Sequence, residues 1–217
     1  METIGKSRLE ALSDGIFAIA MTLLVLSLTV PEIPPDQAPS LLPGRIASLF
    51  PEFMLFVIAF FILAGYWASH HRILENVRCV DGPLVRINIF LLFSIVLIPF
   101  TTSISGDYTN VLEAVLLFHA NLLASSLLLS GMAVYIVRKK GVLAPGMDSR
   151  EALDLSRSVI IPLVIALAIA ISFFDPPGSM WCYALIPFIL LGIRFHAGRI
   201  SREGENEKES FVGKTRL

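Results

Sequence analysis

The sequence predicts an all-α integral membrane protein with six transmembrane helices and both termini on the cytoplasmic side. Three observations carry this reading. Of 217 residues, 55% are hydrophobic and only 16% are charged, whereas a soluble domain normally has about a quarter of its residues charged. The charges gather in short gaps between long apolar runs, each near the roughly 20 residues that a helix rising about 1.5 Å per residue needs to cross hydrocarbon. The basic residues, finally, alternate from gap to gap, as cytoplasmic and outer loops do.

The first span is expected over about residues 9–30 and ends at Pro31, which cannot continue a helix. It reads as a permanent span rather than a signal peptide, because its apolar stretch is long and Thr29-Val30-Pro31 lacks a small-residue cleavage pattern. Residues 31–43 hold five prolines beside Glu32 and Asp36, and so predict a loop. The second span is placed at about 47–74, with Pro51 tolerated in its first turns, and the third at about 84–105. The fourth follows Asp107 and runs to about 137; the fifth covers about 158–174 and the sixth about 180–197. Residues 1–200 thus form one membrane domain, and residues 201–217 a charged, flexible cytoplasmic tail.

Orientation follows from the gaps. Arg72, Arg78 and Arg86 follow the second span; Arg138, Lys139, Lys140, Arg150 and Arg157 follow the fourth; Arg194, Arg199 and Arg202 follow the sixth. The remaining gaps hold only Arg45 among the basic residues, beside Glu32, Asp36, Asp107 and Asp175. A multi-pass inner-membrane protein with both ends inside is the expectation.

Several function classes are disfavoured. Net charge is −1, so no basic field invites nucleic acid. Cys79 and Cys182 fall on opposite faces in this topology and offer neither a metal spacing nor a disulfide. The sequence has no GxSxG, no HExxH and no phosphate-binding glycine loop, so an enzyme is disfavoured. Adjacent His70 and His71 face different sides of a helix and make a poor metal pair; no cofactor is expected. A Thr-Val-Gly-Tyr-Gly filter is missing, as are the paired membrane carboxylates of a coupled pump.

Polar groups inside a span are costly and mark function or specific packing. They concentrate at the cytoplasmic end: Arg8, Glu10, Ser13 and Asp14 on the first span, Trp67, His70, His71 and Arg72 closing the second, and Asn88 on the third. Glu10, His71 and Arg72 also suit an interfacial charge cluster that fixes topology. Asp14, a turn or more inside, points to an interhelical hydrogen-bond network. His119 on the fourth span reads as a packing residue. On the first span Ile19, Thr22, Leu23 and Leu26 recur at i, i+3, i+4 and i+7 and share a face. Asp14 lies about 140° round from Ile19. Periodicity alone makes that stripe ordinary core or lipid surface.

The segment Arg8-Leu-Glu-Ala-Leu-Ser13-Asp14 resembles the Arg-x-x-x-Phe-Ser-Asp signature that opens the first helix of the transmembrane protein 175 family, with Leu12 where the family usually has Phe. Trp67-Ala-Ser-His70 resembles that family's Trp-x-x-His segment, and Asn88 with Ile98-Pro99-Phe100 its third-helix pattern. The family comprises potassium channels of lysosomes, bacteria and archaea. The resemblance implies a homotetramer permeable to potassium and possibly other monovalent cations, its pore lined by the first helix of each subunit. By position, rings of apolar side chains then fall on Ile19, Leu23 and Leu26, with the Thr22 hydroxyl between them. Arg8, Ser13, Asp14, Trp67, His70 and Asn88 become an intrasubunit network that positions the first helix. Two other readings remain: a secondary transporter for a small solute, and a non-conducting scaffold or sensor subunit.

Overall fold

The computed structural model describes residues 5–29, 32–139, 142 and 155–186. Helix α1 spans Lys6–Leu23 and tightens into a 3₁₀ turn over Leu24–Ser27. Helix α2 is Ala38–Ser48, α3 Phe50–Glu75, α4 Gly82–Asp107, α5 Leu112–Arg138 and α6 Leu155–Ser172. A single turn over Pro176–Ser179 and a 3₁₀ segment over Met180–Ala184 follow. Among the described residues, four helices are long and apolar enough to cross a membrane: α1 with its 3₁₀ extension, α3, α4 and α5. Residues 159–172 of α6 form a shorter apolar helix where the fifth span was expected. Most of the expected sixth span, and the whole expected tail, lie outside the described residues.

Two expectations need correction. Residues 31–43 were expected to be loop, yet α2 occupies Ala38–Ser48 and contains Pro39 and Pro43. Pro39 sits in the first turn, where a missing N–H removes nothing the helix would have used. The first span also does not stay α-helical to residue 30: after Leu23 it narrows to 3₁₀, and Leu28 turns to an extended conformation. Hydroxyl groups of Thr22 and Ser27 bond back to the carbonyls of Ile19 and Leu24, a local competition with the helical ladder that suits a terminal turn.

The membrane-crossing helices bury stripes with a 3.6-residue period. On α1 it is Leu9, Ser13, Phe17 and Ala20, continued by Leu24 and Ser27. On α3 it is Leu55, Ala59, Leu63, Tyr66, His70 and Leu74. Helix α4 is the hub, packed against α1, α3 and α5, and its buried positions run along its length from Leu84 to Ser105. Asp81 caps α4 by accepting the Leu84 N–H at 3.0 Å. Small polar groups lace α4 to α5: Ser125 donates to Ser94 at 2.9 Å, and the Asn121 amide to the Ser94 carbonyl at 3.1 Å. The Tyr66 hydroxyl donates to the Leu122 carbonyl at 2.9 Å, tying α3 to α5. Such bonds hold helices together where the surroundings are as apolar as the side chains.

Candidate functional site on the first helix

The elements meet so that α1 and α4 run parallel, with α3 antiparallel to both. The Lys6 ammonium therefore lies beside the last turn of α3 and donates to the Glu75 carbonyl at 3.2 Å, the favourable end of that helix for a cation. One to two turns further in, Ser13, His70 and Asn88 are all buried.

Their bonds form one chain. The Ser13 hydroxyl donates its proton to the Leu9 carbonyl at 2.8 Å. Its oxygen then accepts from the Asn88 amide at 3.1 Å. With the amide nitrogen committed there, the Asn88 carbonyl oxygen faces His70 Nε2 at 2.7 Å, so Nε2 carries a hydrogen and donates. The Phe17 ring packs on His70, with centroids 5.6 Å apart. Asp14, the neighbour of Ser13, makes a separate bond: it accepts from Trp67 Nε1 at 2.9 Å. Trp67 in turn stacks on His71 at 5.9 Å and 19°, and His71 lies 3.3 Å from Glu75. Trp67 and His70 sit i, i+3 on one face of α3, so Trp67 reaches Asp14 directly while His70 reaches Ser13 only through Asn88.

Of the six residues expected in this network, five are thus joined, through two connectors rather than one. Arg8 stands apart: it is exposed, and its guanidinium makes no hydrogen bond or ion pair among the described residues.

The other face of α1 is open. Ile19, Leu23 and Leu26 are 59%, 41% and 73% exposed, and Thr22 is exposed beside them. The 3₁₀ turn has a geometric consequence here. At three residues per turn, positions i and i+3 eclipse, so Leu26 is brought in line with Leu23 instead of drifting round the helix. Thr22 donates its proton to the Ile19 carbonyl at 2.8 Å, which leaves the oxygen's lone pairs turned outward.

Residues 8–99 match the family profile described as "Endosomal/lysosomal potassium channel TMEM175". A potassium channel from Chryseobacterium sp. (strain P1-3) is 31% identical over 187 residues, which are 86% of this chain and 92% of that one. The chain belongs to the TMEM175 family. It is therefore a multi-pass membrane protein of an ion-channel family and not an enzyme. The crystal structure of a lysosomal potassium-selective channel TMEM175 homolog from Chamaesiphon minutus superposes with a TM-score of 0.73 at 26% identity, covering 86% of this chain and 96% of that one. The mouse "Endosomal/lysosomal proton channel TMEM175" is 25% identical over 89% of this chain, which spans 38% of that longer TMEM175 protein.

Some features escaped the sequence reading. Asp81 accepts from both Tyr135 and Lys139, clamping the α3–α4 connection to the end of α5. Burial alone would raise its carboxyl, but the bonds from Lys139, Tyr135 and the Leu84 N–H outweigh that and hold it below the ordinary carboxylate value. Asp81-Gly82-Pro83, a capping residue ahead of a first-turn proline, was the available signal. His119 was expected to be a packing residue; it bonds Ser179 at 2.8 Å and accepts from or donates to Tyr183 through Nδ1. At the far end of the bundle from Ser13, a cavity of about 480 Å³ is lined by Thr29, Glu32, Arg45, Ser48, Glu52 and Asp107, with Leu49. Glu52 Oε2 is buried there without a hydrogen-bond partner among the described residues.

Proposed function

We propose that this chain is one subunit of a homotetrameric, potassium-permeable cation channel that conducts passively through a hydrophobic constriction. Four copies of α1 surround the axis, and Ile19, Leu23 and Leu26 form successive rings, with Thr22 offering hydroxyl oxygens between them. The observation that carries the reading is the division of α1. One face is fixed to α3 and α4 through Ser13, Asp14, Phe17 and Ala20, and the other leaves bulky apolar groups exposed among the described residues. Bonds that fix the rotation of α1 against α3 and α4 are what a helix whose side chains define a pore radius requires.

The named relatives support potassium as the permeant ion. A ring of large apolar side chains can close by dewetting and open by a small increase in radius or polarity. The gap charges favour both termini on the cytoplasmic side; in this reading the protein lies in the plasma membrane, with the Ser13–Asn88–His70 chain near the inner boundary and the cavity near the outer one.

The test is potassium flux into liposomes holding the purified protein, run beside Ile19→Asn. Flux down a potassium gradient with no coupled ion, raised in the variant, supports the channel. Flux that requires a second ion gradient would move the assignment to a transporter. No flux from either protein, with tetramers intact, would leave a scaffold.

A further inference from the structure

We propose that α2 is an interfacial helix that seats its apolar stripe in the headgroup and upper acyl layer of the bilayer, at the end of the bundle remote from Ser13. Although eleven residues long, α2 buries none of them. Yet it is not a polar helix. Leu42 and Ile46 lie at i and i+4 on one face, and both are exposed. Phe50 and Phe53 follow at i+8 and i+11 across the short junction at Leu49, and they too are exposed. The stripe of α2 therefore runs on into the start of a membrane-crossing helix.

Depth can be reckoned along α3. Its 26 residues rise about 39 Å, more than the roughly 30 Å of hydrocarbon. The exposed His71–Glu75 pair marks one boundary. About 20 residues back along α3, near Pro51, the chain reaches the other. Ala38–Ser48 then falls in the headgroup layer, where a helix with one apolar face lies flat and dips that face about 5–10 Å inward. The flank of α2 beside the stripe fits the same placement, with Arg45 about 80° and Ser48 about 140° round from it. Arg45 and Ser48 turn into the cavity beside Glu32, Glu52 and Asp107, so the charged groups of this region stay on the watered side. Helix α2 thereby forms a wall between bilayer and cavity, and its lipid contact fixes where that wall stands relative to Thr29 at the exit of α1.

Tryptophan scanning tests this. The chain has two native tryptophans, so Ile46→Trp, Ser40→Trp and Phe61→Trp are each read as emission added over that background. Each protein is reconstituted in phosphatidylcholine vesicles whose chains are brominated near the headgroup or near the chain end, and is also titrated with aqueous iodide. The expected result is that the Ile46→Trp signal is lost mainly to headgroup-proximal bromines and little to iodide. Ser40→Trp, off the stripe, should be lost to iodide. Phe61→Trp, at mid-span on α3, should be lost to the deeper bromines, and Leu127→Trp on α5 serves as a second mid-span site. Ile46→Trp emission quenched by iodide and untouched by either lipid would overturn the proposal in favour of a solvated loop-like helix. Emission insensitive to all three quenchers, with a mid-span control still quenched, would overturn it in favour of a second copy of the chain covering the stripe.

Discussion

Asn88 donates to Ser13 Oγ at 3.1 Å while its carbonyl oxygen accepts from His70 at 2.7 Å, so a single carboxamide couples α4 to both α1 and α3. No other residue type of that size offers a donor and an acceptor at once in fixed opposition. Asn88→Ala should therefore do more than remove two bonds, because it strands His70 Nε2 without a partner in a buried site and leaves the Ser13 oxygen, still donating to Leu9, with no incoming bond. The expected loss is about 3 kcal/mol, set by the cost of unsatisfied buried polar groups. Ser13→Ala, which strands only the Asn88 amide, should lose about 1–2 kcal/mol. Thermal unfolding of both variants in detergent checks the order; equal losses would mean that Asn88 is not the hub.

Asp14 tests whether the network sets function as well as stability. Its Oδ1 accepts from Trp67 Nε1 at 2.9 Å, and a carboxylate is a stronger acceptor than a carboxamide. Asp14→Asn keeps an acceptor but weakens the bond, and Trp67→Phe removes the donor altogether. Potassium flux should fall in both, and further in Trp67→Phe, with tetramer content measured in parallel. Unchanged assembly and unchanged flux in Asp14→Asn would show that α1 does not depend on this connector for its rotation.

How much of this was legible beforehand depends on the kind of signal. Ser13, Asp14, Trp67, His70 and Asn88 are polar residues in runs where polarity is expensive, so composition singled them out. That Asn88 serves Ser13 and His70, while Asp14 turns to Trp67, requires rotational settings of three helices that no one-dimensional pattern holds. Arg8 entered the network through its place in the Arg-x-x-x-Phe-Ser-Asp resemblance, yet at the helix start its long side chain reaches solvent more easily than the buried chain. Helix α2 was hidden because Pro39 and Pro43 read as breakers, although a first-turn proline is compatible with a helix. The 3₁₀ turn of Leu24–Ser27 has no periodic signature at four residues, and the clamp on Asp81 joins positions 54 and 58 apart in the chain.

That clamp carries a pH dependence whose sign can be worked out. The folded-state pKa of Asp81 is depressed by its hydrogen bonds to Lys139, Tyr135 and the Leu84 N–H, which outweigh burial. A depressed carboxylate contributes stability that is complete above its unfolded value, about 3.9, and is lost as pH falls through the lower folded value. Native protein should therefore lose stability relative to Asp81→Asn as pH drops below about 4. At neutral pH Asp81→Asn should be the less stable of the two. Unfolding midpoints across that range check it; parallel acid slopes would show that the clamp contributes nothing.

The exposed face of α1 makes the sharpest functional prediction, because the 3₁₀ turn assigns each residue a bearing. Leu26 eclipses Leu23, whereas Val25, also exposed, points about 120° away from that line. If the line faces the axis, Ile19→Asn, Leu23→Asn and Leu26→Asn each place four amides in a ring that was dry, and water can then bridge it. Basal flux should rise; a 10-fold rise corresponds to about 1.4 kcal/mol removed from the barrier. Val25→Asn should change it much less, since its amide lies off the line. Thr22→Val, which keeps shape and deletes the outward lone pairs, should lower potassium flux without opening a leak. Single-channel recording of the set decides the matter. A Val25→Asn effect as large as that at Leu26 would place the axis on a different face of the same helix, and no effect anywhere on α1 would place it on another helix.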